Sequence, residues 1–169
     1  MGRYLITLQV PDRTGLVEQI ANAVSHHGGN WLDSELRHID GIFAAILLLE
    51  IDGQHWDDLI EALESIDGMS LTHAAAGTQT KPYKRLTLSL VAYDRPGLVK
   101  EISNKASSLG INIEQFSSKF ESASHTGIAL FRATIGLTLT DNQQETLLTE
   151  ALYEIGDDVV IDKLRSRQS

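Results

Sequence analysis

The chain has 169 residues, of which 42% are hydrophobic and 22% are charged, and this is the composition of a globular protein. It contains no cysteine, which excludes a disulfide framework and thiolate metal ligands, and no stretch approaches the ~20 apolar residues of a membrane span. The net charge is −9, and neither half carries the basic stripe that direct DNA binding requires. Because the N-terminus also lacks the apolar run of a signal peptide, we expect a soluble cytoplasmic protein.

The first half predicts the order strand, helix, strand, strand, helix, strand. Residues 4–10 alternate apolar and polar side chains, as a half-buried strand does. The stripe Leu16, Ile20, Val24 has the spacing of an amphipathic helix, and the glycines that follow His27 suit its end. The remaining predicted elements are strands at 30–39 and 42–51, joined by a type I′ turn at Asp40-Gly41, then a helix at 55–66 and a strand at 69–74.

The second half predicts the same order. Its predicted elements are strands at 86–92, 112–120, 128–139 and 159–164, and helices at 98–109 and 142–155. A strand–helix–strand unit repeated around a central hairpin is the pattern of a ferredoxin-like sandwich. We therefore predict an α+β fold with two tandem ferredoxin-like βαββαβ domains, each with an antiparallel sheet and its helices on one face. The predicted bounds are 1–74 and 84–165, with a linker at 75–83 that lacks periodicity.

The segment between the first strand and the first helix recurs 82 residues later. Residues 12–17 read Asp-Arg-Thr-Gly-Leu-Val, and residues 94–99 read Asp-Arg-Pro-Gly-Leu-Val. Over a longer window, residues 8–30 and 90–112 are identical at 11 of 23 positions. The sequence therefore predicts one small domain written twice.

The repeated loop carries groups that could hold a small zwitterion. Asp12 is predicted to cap the first helix through its carboxylate, and Gly15 permits a close approach of the backbone. The N–H groups of the first helical turn favour a carboxylate, and Asn30 adds an amide with donors and an acceptor. An amino acid could place its carboxylate on the helix and its ammonium on Asp12 and Asn30. The alternative is that Asp12 only caps and Gly15 only turns.

The motif Asp-Arg-x-Gly-Leu-Val after a first strand, followed by Gly-x-Asn after the helix, resembles the ACT domain, a ferredoxin-like regulatory module that often binds amino acids. The resemblance covers residues 3–74 and again 84–165. It implies that a ligand lies at the interface of two domains, between the loop after the first strand of one and the residue that opens the second strand of another. The implied ligand-binding residues are Asp12, Gly15, Leu16, Asn30, Asp94, Gly97, Leu98 and Asn112.

The two repeats differ around these positions. Thr14 stands where the second repeat has Pro96, and Trp31 stands where it has Ile113. We therefore expect that the two sites need not bind the same ligand.

A tandem pair of this length is similar to the glycine cleavage system transcriptional repressor group. That resemblance implies regulation of transcription through a DNA-binding protein partner in response to glycine, without direct nucleic-acid contact. It favours an amino-acid effector, glycine first, with no cofactor, and we expect a homodimer or higher oligomer. Two alternatives stay open. One is an ACT-containing regulatory subunit of an amino-acid biosynthetic enzyme such as acetolactate synthase, and the other is an interaction scaffold that binds no ligand.

Other chemistry is not favoured by the sequence. The adjacent His26 and His27 would point about 100° apart on a helix, and the remaining histidines are scattered, so we expect no metal site. No nucleophile elbow, Ser/His/Asp grouping or phosphate-binding loop is present, so no catalytic residue is predicted and we expect no enzyme. The pairs 57–58 and 157–158, both Asp-Asp, are expected to be solvated, and Trp56 is expected to be a packing anchor.

Overall fold

The computed structural model describes residues 1–77, 84–123 and 126–164, and it divides the chain into two compact units, Met1–Gln79 (unit 1) and Thr80–Ser169 (unit 2). Most of the predicted linker, residues 78–83, lies outside the described part. None of the helices in that part is long and apolar enough to cross a membrane.

Each unit contains the predicted order of elements. Unit 1 comprises β1 (Gly2–Pro11), α1 (Leu16–His26), β2 (Asn30–Ile39), β3 (Ile42–Ile51), a 3₁₀ turn (Gly53–His55), α2 (Trp56–Glu64) and β4 (Ser70–Ala75). Unit 2 comprises β5 (Lys84–Tyr93), α3 (Leu98–Ser108), β6 (Asn112–Ser122), β7 (Ala129–Leu139), α4 (Asn142–Tyr153) and β8 (Val160–Leu164).

The sheets have the order β2-β3-β1-β4 and β6-β7-β5-β8, with every neighbouring pair antiparallel. The predicted α+β class with ferredoxin-like βαββαβ repeats is therefore confirmed. In both units one extra residue interrupts the pairing of the outer strand, between Trp31 and Asp33 in β2 and between Ile113 and Gln115 in β6. These bulges lie 82 residues apart, so the repeat extends to a local irregularity of the strand.

The core of each unit lies between the sheet and its two helices. Alternation along β1 buries Ile6, Leu8 and Val10, and the spacing of four along α1 brings Leu16 and Ile20 onto them. The other buried residues of this core are Val24, Phe43, Ala45, Leu47, Leu49, Ile51, Trp56, Leu59, Ile60 and Leu63. Unit 2 has a separate core of the same design, centred on Leu88, Ile102, Ile135 and Leu148.

Local turn signals placed the boundaries well in unit 1. Asp40 and Gly41 both have positive φ, of 50° and 80°, as the predicted type I′ turn requires. The second helix differs from its prediction, since it begins at Trp56 after a 3₁₀ turn. The Asp52 carboxylate accepts a hydrogen bond from the Gln54 N–H at 3.1 Å, and this side-chain cap starts the turn before the apolar stripe begins.

An ion network joins the first turn of α4 to two strands of unit 2. The Glu145 carboxylate accepts hydrogen bonds from Lys163 on β8 and Lys84 on β5, and these bonds, led by the one from Lys163, lower its pKa below the usual value of 4.5. A depressed carboxylate pKa contributes stability that is present above the unfolded pKa and lost as pH falls through the folded one.

We therefore expect unit 2 to lose thermal stability as pH falls from about 5 to about 3, and to lose less of it when Glu145 is replaced by glutamine. Melting followed by far-UV circular dichroism at several pH values measures this. Glu150, an exposed acid on α4, provides the control variant Glu150→Gln. Equal pH slopes for wild type and Glu145→Gln would contradict the role of the network.

Candidate functional site

The loop between the first strand and the first helix has the same geometry in both units. Gly15 and Gly97 are the N-cap residues of α1 and α3, with φ of 88° and 93°. In neither helix does a side chain of the described residues cap the first turn. The first-turn N–H groups therefore remain available to an anion or to water.

The prediction that Asp12 caps α1 is wrong. Gly15 occupies the N-cap, and no side-chain hydrogen bond caps the helix there. Asp12 instead joins the loop to the β2–β3 hairpin: its N–H donates to the Gly41 carbonyl oxygen at 2.9 Å, and its carboxylate lies 3.7 Å from His38 Nε2. In unit 2 the Asp94 N–H donates to the Ala129 carbonyl oxygen at 2.9 Å, and Phe120 replaces the histidine.

The arginine of the repeated motif anchors the loop to the other end of its own unit. The Arg13 guanidinium donates to the Asp67 carbonyl oxygen at 2.9 Å, and that of Arg95 donates to the Ile155 carbonyl oxygen at 2.9 Å. Both acceptors lie where the second helix turns back into the last strand. The recurrence of arginine was visible in the sequence, and in both units its hydrogen bond fixes the loop.

Asp158 also supports the loop, and the expectation that it is solvated is wrong. Its side chain is 18% exposed, it accepts a hydrogen bond from the Tyr93 N–H at 2.6 Å, and it lies 3.6 Å from Arg95. The neighbouring Asp157 is exposed, as expected. In unit 1 the residue that corresponds to Tyr93 is Pro11, which has no N–H and needs no acceptor.

The two asparagines lie far from the aspartate of their own unit. Asn30 opens β2 opposite Glu50, and Glu50 is paired with Arg3 at the start of β1. Asp12 follows the other end of β1, nine residues farther along, so about 30 Å separates the two residues. Asn112, opposite Thr138, stands at the corresponding position of unit 2. One domain by itself therefore does not bring Asp12 and Asn30 onto a single small ligand.

The remaining predicted site residues differ in what they can offer a ligand. Leu16 and Leu98 are each 2% exposed, so their side chains belong to the cores and are not free to contact a ligand. Asn30, Asn112 and Asp94 are exposed.

Two other features that the sequence analysis considered are Trp56 and the possibility of a metal site. Trp56 is 7% exposed and stacks on Tyr4 with ring centroids 3.9 Å apart, so it is the packing anchor that was predicted. Within the described residues, no three His, Asp or Glu side chains form a group that could hold a metal ion. His125 lies outside those residues.

Comparisons with known proteins place this geometry in context. Residues 3–72 match the family model described as the ACT domain. The whole chain is similar in structure to a protein of unknown function from Galdieria sulphuraria, with 21% identity and a TM-score of 0.78 over 97% of this chain and 99% of that one. It is also similar to a candidate glycine cleavage system transcriptional repressor, with 15% identity and a TM-score of 0.64 over 98% of each chain. No curated protein matches the chain by sequence.

Proposed function

We propose that this chain, a tandem of ACT folds, is a regulatory protein that responds to a small amino acid. The observation that supports this most is the uncapped first turn behind a glycine with positive φ, which occurs at the same place in both units. The N–H groups of such a turn can donate to a carboxylate, and no capping side chain has to be displaced first. The aspartate three residues before each glycine adds a negative charge for an ammonium group.

In this proposal, residues of two ACT domains together form each amino-acid site. β2 is an edge strand of its sheet, and its last residues adjoin the Asp12 loop through the hairpin at Gly41. If two such edge strands pair antiparallel, the first residue of each meets the last residues of the other. Asn30 of one domain would then lie beside Asp12 and Gly15 of the other. The same arrangement is available to Asn112 and Asp94.

Binding at a shared site would regulate by linkage. A ligand that contacts two domains favours the paired arrangement over all others, and it changes the affinity for any partner that distinguishes these arrangements. We propose that the partner is a DNA-binding regulatory protein and that glycine is the effector. The shortage of basic residues supports action through a protein rather than on DNA directly. The similarity in fold to the candidate repressor supports the same choice.

Glycine is expected to raise the melting temperature, because a ligand that binds only the folded state stabilises it by mass action, by about 2.7 kcal/mol at 100 times Kd. Asp12→Ala and Asp94→Ala are expected to reduce the shift, and the larger reduction identifies the stronger site. Asp57→Ala, an exposed aspartate on α2 and away from β2, is the matched control. A thermal-shift scan of the common amino acids measures this effect. No shift at millimolar concentration for any of them would refute ligand sensing and leave the scaffold alternative.

The identity of the partner needs a separate experiment. Affinity purification of the full chain, with and without glycine, followed by mass spectrometry of the bound proteins, separates the remaining candidates. A DNA-binding protein would support the proposal. A catalytic chain of an amino-acid biosynthetic enzyme would replace it with the regulatory-subunit alternative.

A further inference from the structure

At one end of each sheet, three directly paired residues form a row across three neighbouring strands. The rows are Asn30, Glu50 and Arg3 in unit 1, and Asn112, Thr138 and Arg85 in unit 2. Directly paired residues of antiparallel strands share one face of the sheet. The leucines before and after Thr138 belong to the core, so by alternation the row of unit 2 lies on the face away from the helices. The asparagine and the arginine are the same in both rows, and only the middle residue differs.

The middle residue decides whether the arginine is neutralised. In unit 1 the Glu50 carboxylate lies 3.5 Å from Arg3 Nε, so the row of that unit carries an ion pair. In unit 2 a threonine takes the place of the carboxylate, and within the described part of the chain no acidic side chain pairs with Arg85. Because Arg85 is exposed and always charged, this end of the unit 2 sheet presents a positive charge to a ligand.

Thr138 adds a hydrogen-bonding group that the protein does not use. It is 9% exposed, and its Oγ1 has no hydrogen-bond partner among the described residues. Because buried hydroxyls are nearly always hydrogen-bonded, the unpaired Oγ1 favours a ligand oxygen at this position. Its place in the row, between an amide and a guanidinium, makes a carboxylate oxygen the matching group.

The spacing of the row fits the side chain of a small dicarboxylic ligand. Neighbouring strands lie ~4.8 Å apart, so about 10 Å separates the Cα atoms of Asn112 and Arg85. An amino acid held at its α-carbon beside Asn112 can therefore extend its side chain over Thr138, while the arginine side chain reaches toward it from the other end of the row.

We propose that the site of unit 2 takes an amino acid whose side chain bears a second carboxylate, that Arg85 binds this carboxylate, and that Thr138 Oγ1 donates a hydrogen bond to it. In unit 1, Glu50 pairs with Arg3 and repels a second carboxylate, so that site suits glycine, which has none. The inference rests on the proposed function and names the ligand class at one of its two sites.

The experiment exchanges the middle residues of the two rows in the full chain. Thr138→Glu copies unit 1 into unit 2, and Glu50→Thr copies unit 2 into unit 1. Arg85→Gln removes the charge at an exposed position, so it keeps the test open if Thr138→Glu impairs folding. Thr134→Glu, four residues earlier on the same strand and on the same face, is the matched control for the added charge. The probes are L-glutamate and L-aspartate, with L-glutamine and L-asparagine as their neutral counterparts.

Isothermal titration calorimetry is expected to show that one acidic probe binds about tenfold more tightly than its amide, which corresponds to about 1.4 kcal/mol. Thr138→Glu and Arg85→Gln should remove this preference, Thr134→Glu should keep it, and Glu50→Thr should add a second site for the same acid. Equal binding of acid and amide by wild type, or a preference that survives Arg85→Gln, would overturn the inference. A thermal shift by glycine in that case leaves the proposed function standing, whereas no binding of any amino acid refutes both.

Discussion

Replacement of Ile6 by alanine is expected to lower the free energy of unfolding of unit 1 by about 2–5 kcal/mol. Ile6 lies at the centre of β1, is 0% exposed and sits between β3 and β4 in the sheet. Truncation removes apolar contacts on all sides and leaves a cavity that the rigid strands on either side cannot fill. A unit of this size has a marginal core, so the loss consumes a large part of its stability.

The chain offers a matched control and a selective probe for this variant. Ile46 belongs to β3, is 48% exposed on the opposite face of the sheet, and its truncation should cost much less. Both tryptophans, Trp31 and Trp56, belong to unit 1, so tryptophan fluorescence during urea unfolding reports that unit alone. Equal losses for Ile6→Ala and Ile46→Ala would contradict the assignment of the two faces.

Much of the fold was predictable because its signals are local. The alternation that buries Ile6 and the spacing that buries Ile20 depend only on the geometry of a strand and of a helix. The turn at Asp40 depends on two residues that tolerate positive φ. Each of these patterns can be recognised within about ten residues of sequence, so each helix, strand or turn is predicted without knowledge of the residues it packs against.

The candidate site was less predictable, because it depends on contacts between distant residues. The distance between Asn30 and Asp12 follows from the topology: β2 follows β1 through a crossover helix, so it starts at the end of the sheet where β1 also starts. Sequence spacing alone does not show that Asn30 and Asp12 of one domain lie toward opposite ends of the sheet. The pairing of Asp12 with the hairpin could not be predicted locally, since it depends on the register of β1 and β3.

The two units solve one structural problem in two ways. At the end of β1, Pro11 presents no N–H, and Gly68 lies so close that an added Cβ would stand 2.9 Å from the proline ring. At the end of β5, Tyr93 has an N–H, and Asp158 accepts from it. Each solution is a matched pair, and the unlike residues at equivalent positions were the sequence signal that Asp158 is not an ordinary surface acid.

Asp158→Ala is therefore expected to destabilise unit 2 by about 1–3 kcal/mol, because it leaves the Tyr93 N–H without its acceptor and removes one charge partner of Arg95. Asp157→Ala, one residue earlier and exposed, should change stability by about 0.5 kcal/mol or less. Far-UV circular dichroism during urea unfolding, compared with the tryptophan signal of unit 1, measures the loss in unit 2.

A double-mutant cycle then separates the contribution of the Tyr93–Asp158 hydrogen bond to stability from the contribution of the Asp158 charge beside Arg95. With Tyr93→Pro, which copies Pro11, no N–H remains to be satisfied, so Asp158→Ala should cost less in that background than in wild type. Loosening of the Asp94 loop should also weaken any glycine response of unit 2 while the response of unit 1 persists. If Asp158→Ala costs the same in both backgrounds, the carboxylate acts through Arg95 alone, and the hydrogen bond to Tyr93 contributes no stability.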